Sequence, residues 1–188
     1  PGTAQTEAAE PKEVQALAVR EIPKTRPVQR KGHDDLVFMT KEEKFKAILD
    51  LVRKIHATGQ PILIGTASVE QSEHLSDLMK REGIEHQVLN ARVHAQESRI
   101  IAQAGAPKAV TIATNMAGRG TDSKLGGSAD LILEDMLCSI SDDGERQAIN
   151  STVTESIGEK REEGRETGGL SVIGSASHDS RRVDTQPR

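Results

Sequence analysis

The chain has 188 residues, of which 29% are charged and 35% hydrophobic, and its formal net charge at pH 7 is −4. This length is sufficient for one domain with its own hydrophobic core. The acidic balance and the lack of Trp and Tyr count against a nucleic-acid interface, which needs clustered cations and stacking platforms. A single cysteine, Cys138, excludes an internal disulfide framework. No apolar run reaches the 18 residues of a membrane span, so we expect no direct membrane insertion.

The first 60 residues predict a tail followed by one amphipathic helix. Residues 1–26 show a short helical pattern and then a Pro-containing connector. Thr40 and Glu43 have the spacing of a capping box, and Gly59 is a typical stop signal. Between them, apolar residues recur at helical spacing: Phe45, Ile48, Leu49, Val52 and Ile55.

Short apolar runs then alternate with helical patterns. The predicted strands are residues 61–65, 87–89, 110–114 and 170–174, and the predicted helices between them are residues 68–83, with Ser68 as the cap, and about 95–104. Strands that alternate with helices in this way are typical of βαβ crossovers and a mainly parallel sheet. We therefore predict an α/β fold in which helices flank the parallel sheet, as in one half of a RecA-like pair.

Residues 128–167 do not follow this alternation. The apolar residues from Leu131 to Leu137 predict one amphipathic helix, and a polar, charge-rich stretch follows them up to Glu166. Two interpretations of the polar stretch remain open, a mobile insertion or a solvated helix.

The third predicted strand runs into a glycine-containing loop with the sequence Gly118-Arg119-Gly120-Thr121-Asp122. Glycines allow the backbone to approach a ligand closely, and an arginine can donate two hydrogen bonds to a phosphate. Asp122 could hold a ribose hydroxyl or a metal-bound water. The alternative is a glycine turn with a surface Arg119–Asp122 ion pair.

This loop resembles the signature of the second nucleotide-binding domain of the SecA family, the bacterial motors of preprotein translocation. Other stretches resemble the same family in the same order: Gly2–Ala8, Asp34–Val37, Thr40–Lys44, Gly65–Glu73, Val88–Ala91, Ile101–Gly105 and His178–Gln186. The similarity covers about residues 1–126 and 168–188.

The resemblance implies that ATP or ADP binds with Mg²⁺ at an interface between two domains. It assigns residues 1–26 to the tail of the first nucleotide-binding domain and a linker, and residues 27–188 to the second domain with a variable insertion at about 128–167. Nucleotide contacts are expected from Gly118, Arg119, Gly120, Thr121 and Asp122, and interdomain coupling from Thr3, Arg181, Arg182 and Gln186. The alternative for Thr3 is a disordered terminus. The alternative for Arg181 and Arg182 is a pair of solvated charges at the end of a helix.

No catalytic residue is expected within the chain itself. The sequence has no Gly-Lys dipeptide and therefore no P-loop, which in the family lies in the first domain, along with the residues that hold the metal. The family's finger arginines would follow Arg188, so we expect a chain that ends within its last motif. Pro187 and Ser175–Ser177 depart from the family's pattern and place the local geometry of that motif in doubt.

The expected partners are the first nucleotide-binding domain of the same protein and, through regions mostly outside this chain, the Sec channel and preproteins. The expected location is the cytoplasm, peripheral to the inner membrane (or the thylakoid membrane).

Two alternatives remain, the second domain of a superfamily 2 helicase and a non-enzymatic module that binds a partner domain. The histidines and Cys138 show no spacing typical of a metal site, and a catalytic cysteine is not expected.

Overall fold

The computed structural model describes residues 12–13, 16, 18–20, 31–89, 97–114, 124–128, 133 and 143–176. The elements in chain order are α1 (Lys41–Ala57), β1 (Ile62–Thr66), α2 (Val69–Arg81), β2 (Gln87–Leu89), α3 (Glu97–Gln103), β3 (Val110–Thr114), α4 (Asp143–Glu166) and β4 (Ser171–Gly174). Every strand predicted from the sequence is confirmed within one residue. The predicted tail of residues 1–26 and the predicted helix around Leu131–Leu137 lie almost entirely outside the described residues.

The four strands form one sheet in the order β2-β3-β1-β4, and each neighbouring pair is parallel. β1 pairs with β3 from Ile62 opposite Val110 to Thr66 opposite Thr114. On its other side, β1 pairs with β4 from Ile62 opposite Ser171 to Gly65 opposite Gly174. This arrangement confirms the predicted α/β fold with a parallel sheet.

Helix α1 begins where the sequence predicts. The Thr40 side chain accepts a hydrogen bond from the Glu43 amide, and the Glu43 carboxylate accepts one from the Thr40 amide, both at 3.2 Å. This reciprocal pair satisfies two amide groups that a helix start otherwise leaves without partners. The helix ends at Ala57, and Gly59 takes the left-handed conformation, with φ of +82°, that leads the chain into β1.

One face of the sheet carries the main core. Ile62 and Ile64 of β1 lie beside Val110 and Ile112 of β3, and all four are at most 2% exposed. Helices α1 and α2 cover this face with the buried side chains of Phe45, Ile48, Leu49, Val52, Leu75 and Met79. Each such side chain that leaves water contributes about 1.5–3 kcal/mol, so this layer supplies most of the driving force for folding.

The opposite face of the sheet carries a smaller apolar layer. Leu89 pairs with Ala113, the residue after Ile112. Since successive side chains of a strand point to opposite faces, Leu89 and Ala113 lie on the face away from the main core, and Leu89 is 2% exposed. Helix α3 connects β2 to β3, and its Ile101 and Ala102 are buried. A right-handed return from β2 to its neighbour β3 places α3 on this second face.

Helix α4 has 24 residues, and most of its described side chains are exposed or half-buried. Of the two interpretations left open for residues 128–167, a solvated helix is therefore correct from Asp143 to Glu166. Gly164, near its carboxyl end, is buried. No helix among the described residues is long and apolar enough to span a membrane.

Replacing Leu75 with Ala should lower the free energy of unfolding by about 2–5 kcal/mol, because its side chain is 0% exposed beneath the sheet. Leu51 lies in α1 but is 39% exposed, so Leu51→Ala should cost about 1 kcal/mol or less. Urea unfolding midpoints of the two variants measure the difference. Equal shifts would contradict the placement of the core.

The capping box of α1 makes a second prediction. Thr40→Ala removes the side-chain acceptor of the Glu43 amide and should cost about 1 kcal/mol. Thr40→Ser keeps a hydroxyl at the same place and should cost a few tenths of a kcal/mol at most. Thermal unfolding of the two variants compares them, and indistinguishable midpoints would show that the cap contributes nothing.

Candidate functional site at the carboxyl edge of the sheet

The register of the sheet brings three strand ends to one level. Thr66 of β1 lies opposite Thr114 of β3, and Gly174 of β4 lies opposite Gly65. The segments that follow these strands therefore leave the sheet at the same edge. In open parallel sheets, ligands bind in the crevice outside the carboxyl ends of the strands, so this edge is the candidate site.

Thr66 fixes the turn that leaves β1. The residue is 0% exposed, and its Oγ1 lies 3.3 Å from the Ala113 carbonyl oxygen and 3.4 Å from that of Ser68. Its hydroxyl donates to these two acceptors. The end of β1, the end of β3 and the start of α2 are thereby joined through one buried side chain.

Ser68 caps helix α2, as predicted. Its Oγ accepts a hydrogen bond from the Gln71 amide at 3.3 Å and lies 3.3 Å from a carboxylate oxygen of Glu70. The amino-terminal ends of helices carry partial positive charge, which favours an anion beside them. At α2 the Glu70 carboxylate already provides one negative charge in the first turn.

Two buried polar atoms of this region have no hydrogen-bond partner among the described residues. They are the Ser175 Oγ and the Gln71 Oε1. Ser175 is 5% exposed, and its amide donates to the Gly65 carbonyl at 2.8 Å, which holds it directly beside the end of β1. Buried polar groups are usually paired, because an unpaired one costs about 1–3 kcal/mol. Functional sites are where such exceptions are expected.

A small open cleft of about 320 Å³ lies between the starts of α1 and α2, next to this edge. Phe45 and His74 both line it, and their rings meet edge-on at a centroid distance of 5.1 Å. The other lining residues are Lys41, Glu42, Ser68, Glu70 and Gln71. The sequence patterns do not predict this cleft, although the caps at Thr40 and Ser68 mark the two helix starts that border it.

Residues 124–128 form a short glycine-containing segment, which we call the strap. In space it contacts the turn after α3 on one side and helix α4 on the other. The Gly126 amide donates to the Gly105 carbonyl at 2.8 Å, and the Gly127 amide donates to the Lys124 carbonyl at 3.0 Å. The sequence patterns predict no role for the strap, although its Gly-Gly dipeptide is a turn signal.

A wider open cleft of about 770 Å³ lies at the opposite edge, around the starts of β2 and β3. His86 lines it, with its Nε2 2.7 Å from the Ser76 Oγ and its Nδ1 2.8 Å from the Ile84 carbonyl oxygen. Since a carbonyl only accepts, Nδ1 donates to Ile84, and in the neutral form of the ring Nε2 accepts from the Ser76 hydroxyl. This contact joins α2 to the residue before β2, which is a structural role.

The nine predicted site residues lie outside the described residues. They are Thr3, Gly118, Arg119, Gly120, Thr121, Asp122, Arg181, Arg182 and Gln186. The structure places the chain on either side of the predicted nucleotide loop, at Thr114 and at Lys124, and it places Ser175 and Ala176 before the predicted coupling residues. Among the described residues, no group of three or more His, Cys, Asp or Glu side chains could hold a metal ion.

Comparisons with known proteins identify relatives of this chain. The family model described as the SecA P-loop domain matches residues 27–188. Over 187 residues the chain is 51% identical to the protein translocase subunit SecA of Gluconobacter oxydans (strain 621H), and this match covers 100% of the chain and 20% of that protein. It is 48% identical over 187 residues to the protein translocase subunit SecA of Anaplasma phagocytophilum (strain HZ), covering 100% of the chain and 21% of that protein.

The chain thus spans about a fifth of the length of these relatives. The matched region contains all eight described helices and strands, and it includes the stretch from Gly118 to Asp122 that follows β3. On this evidence the chain belongs to the SecA family.

Proposed function

We propose that this chain is the second nucleotide-binding domain of a SecA-type motor, which closes over ATP held by the first domain and so drives preproteins through the Sec channel. The observation that carries the proposal is the register of the sheet. Thr66, Thr114 and Gly174 end their strands at one edge, and the Gly118–Asp122 stretch and the Arg181–Arg182 pair follow two of those strands along the chain.

In this proposal the carboxyl edge provides one wall of a composite site. Arg119 donates a forked pair of hydrogen bonds to a phosphate, and Gly118 and Gly120 let the backbone come close to it. Asp122 accepts from a ribose hydroxyl or a metal-bound water. The unpartnered Ser175 Oγ fits a polar ligand at this edge, because such a group would supply the hydrogen bond that the described residues do not.

The remaining parts of the site belong to other regions. By the resemblance to the family, the Mg²⁺ that accompanies the nucleotide is held mainly by the first domain. Thr3, Arg181, Arg182 and Gln186 are proposed to couple the two domains. Residues 1–26 are assigned to the tail of the first domain and the linker, and residues 27–188 to the second domain. The partners are the first domain, the Sec channel and preproteins, and the proposed location is the cytoplasmic side of the membrane.

A titration with a fluorescent ADP analogue tests this proposal. The chain should bind weakly alone and at least about tenfold more tightly when mixed with the first nucleotide-binding domain of the Gluconobacter oxydans relative, since a charged hydrogen bond contributes about 1.5–3 kcal/mol. Asp122→Ala should abolish that gain. Asp77→Ala is the matched control, because it removes the same charge from an exposed position of α2.

Equal affinity of the chain in the presence and absence of the first domain would contradict the composite site. If partner binding were the same with and without ADP, a non-enzymatic interaction module would be the better interpretation. Salt-dependent binding of single-stranded DNA or RNA would instead favour a helicase domain.

The chain alone should hydrolyse no ATP at a measurable rate. The sequence has no Gly-Lys dipeptide, so it lacks the backbone cradle and the lysine that hold the β- and γ-phosphates in P-loop enzymes. Phosphate release from purified chain measures this. Turnover that is lost in the Asp122→Ala variant would show that the chain carries a complete catalytic site and would overturn the proposal.

A further inference from the structure

The strap, residues 124–128, lies closer to its neighbours than side chains allow. A Cβ on Gly105 would overlap the Lys124 carbonyl oxygen. A Cβ on Gly126 would stand 3.0 Å from the Arg161 amide nitrogen and 3.1 Å from its Cα, both in the backbone of helix α4. The overlap at Gly105 excludes a side chain there, and a side chain at Gly126 would require the backbone of α4 to shift by a few tenths of an ångström.

The carboxyl-terminal part of α4 has a matching gap. Gly164 is buried, and a Cβ built on it would lie 3.2 Å from both the Cγ and the Cδ1 of Leu125. The Leu125 side chain therefore packs over the position where any other residue of α4 would place its side chain. Gly158, on the same helix, has nothing within 4 Å of a Cβ. Of these two glycines of α4, only Gly164 lies where the helix contacts the strap.

These contacts bear on the predicted nucleotide loop through covalent connection. Asp122 is two residues from Lys124 in the chain, and Asn115 directly follows Thr114, the last residue of β3. The loop is thus attached to the sheet at one end and to the strap at the other. Because consecutive Cα atoms are about 3.8 Å apart, the position of Lys124 limits the carboxyl-terminal end of the loop to within two such steps of it.

We propose that Gly126, Gly164 and Leu125 are positioning residues, which anchor the strap on helix α4 and thereby set the place of Arg119 and Asp122 at the nucleotide. The proposal rests on the function proposed above. It assigns the long solvated helix a specific part in the site, as the support on which the carboxyl-terminal end of the nucleotide loop is fixed.

Two adjacent glycines provide a matched test. Gly126 and Gly127 have φ of +89° and +95°, so alanine causes similar backbone strain at either place. Only at Gly126 does the added Cβ meet α4, since Gly127 has nothing within 4 Å. In the mixture with the first domain, Gly126→Ala should weaken ADP-analogue binding about fivefold to tenfold more than Gly127→Ala does. Hydrogen exchange of the Gly126 amide should speed up more in Gly126→Ala than in Gly127→Ala, measured without nucleotide.

A rescue experiment separates positioning from a general loss of stability. Gly164→Leu places a side chain where Leu125 packs and should weaken ADP-analogue binding about fivefold, whereas Gly158→Leu should leave it unchanged. Adding Leu125→Ala to Gly164→Leu should restore the affinity for the ADP analogue to within about twofold of the unsubstituted chain, because it removes the side chain that the new leucine would overlap. Two changes that only destabilise the fold would instead add their losses.

Equal ADP affinities of Gly126→Ala and Gly127→Ala, or no recovery in the Gly164→Leu/Leu125→Ala variant, would overturn the positioning role. If the unsubstituted mixture binds no ADP, the proposed function fails and the role in binding fails with it. In that event, the difference in hydrogen exchange between the two alanine variants still decides whether α4 anchors the strap.

Discussion

The parallel, in-register pairing of β1 with β3 and β4 is the constraint on which the rest of the structure depends. Val110 and Ile112 share the buried face with Ile62 and Ile64 only in this register, since a slip of β3 by one residue would turn Val110 and Ile112 toward the other face. The same register sets the strand ends level at Thr66, Thr114 and Gly174. Burial of the core therefore also determines where the candidate site lies.

The core and the carboxyl edge differ in how completely their polar groups are paired. Within the sheet, the buried hydroxyl of Thr66 has acceptors in Ala113 and Ser68. Just beyond it, the Ser175 Oγ and the Gln71 Oε1 are buried without partners among the described residues. Among the described residues these two atoms lack the pairing that the Thr66 hydroxyl has, which is compatible with an edge that completes its hydrogen bonds with a ligand or a neighbouring domain.

Helix α4 lies outside the alternation of strands and helices, and it contacts the strap, which follows the predicted nucleotide loop in the chain. A solvated 24-residue helix contributes little to the core, and its described contacts with the strap involve its carboxyl-terminal part. At this contact the strap and α4 come close because Gly126 and Gly164 have no side chains, rather than because a large apolar area is buried between them. Glycines give up conformational entropy on folding, so a paired set of them at one contact indicates that closeness itself is required.

The local structure follows from interactions between neighbours along the chain. The capping residues Thr40 and Ser68, the apolar spacing from Phe45 to Ile55 and the β-forming run Val110–Thr114 all act through neighbours along the chain, so their elements were predicted within about one residue. The nine site residues remain predictions from resemblance. Only the tertiary structure decided the strand order, the burial of Ser175 and the contact of the strap with α4, because these depend on residues far apart in the chain whose approach no local pattern encodes.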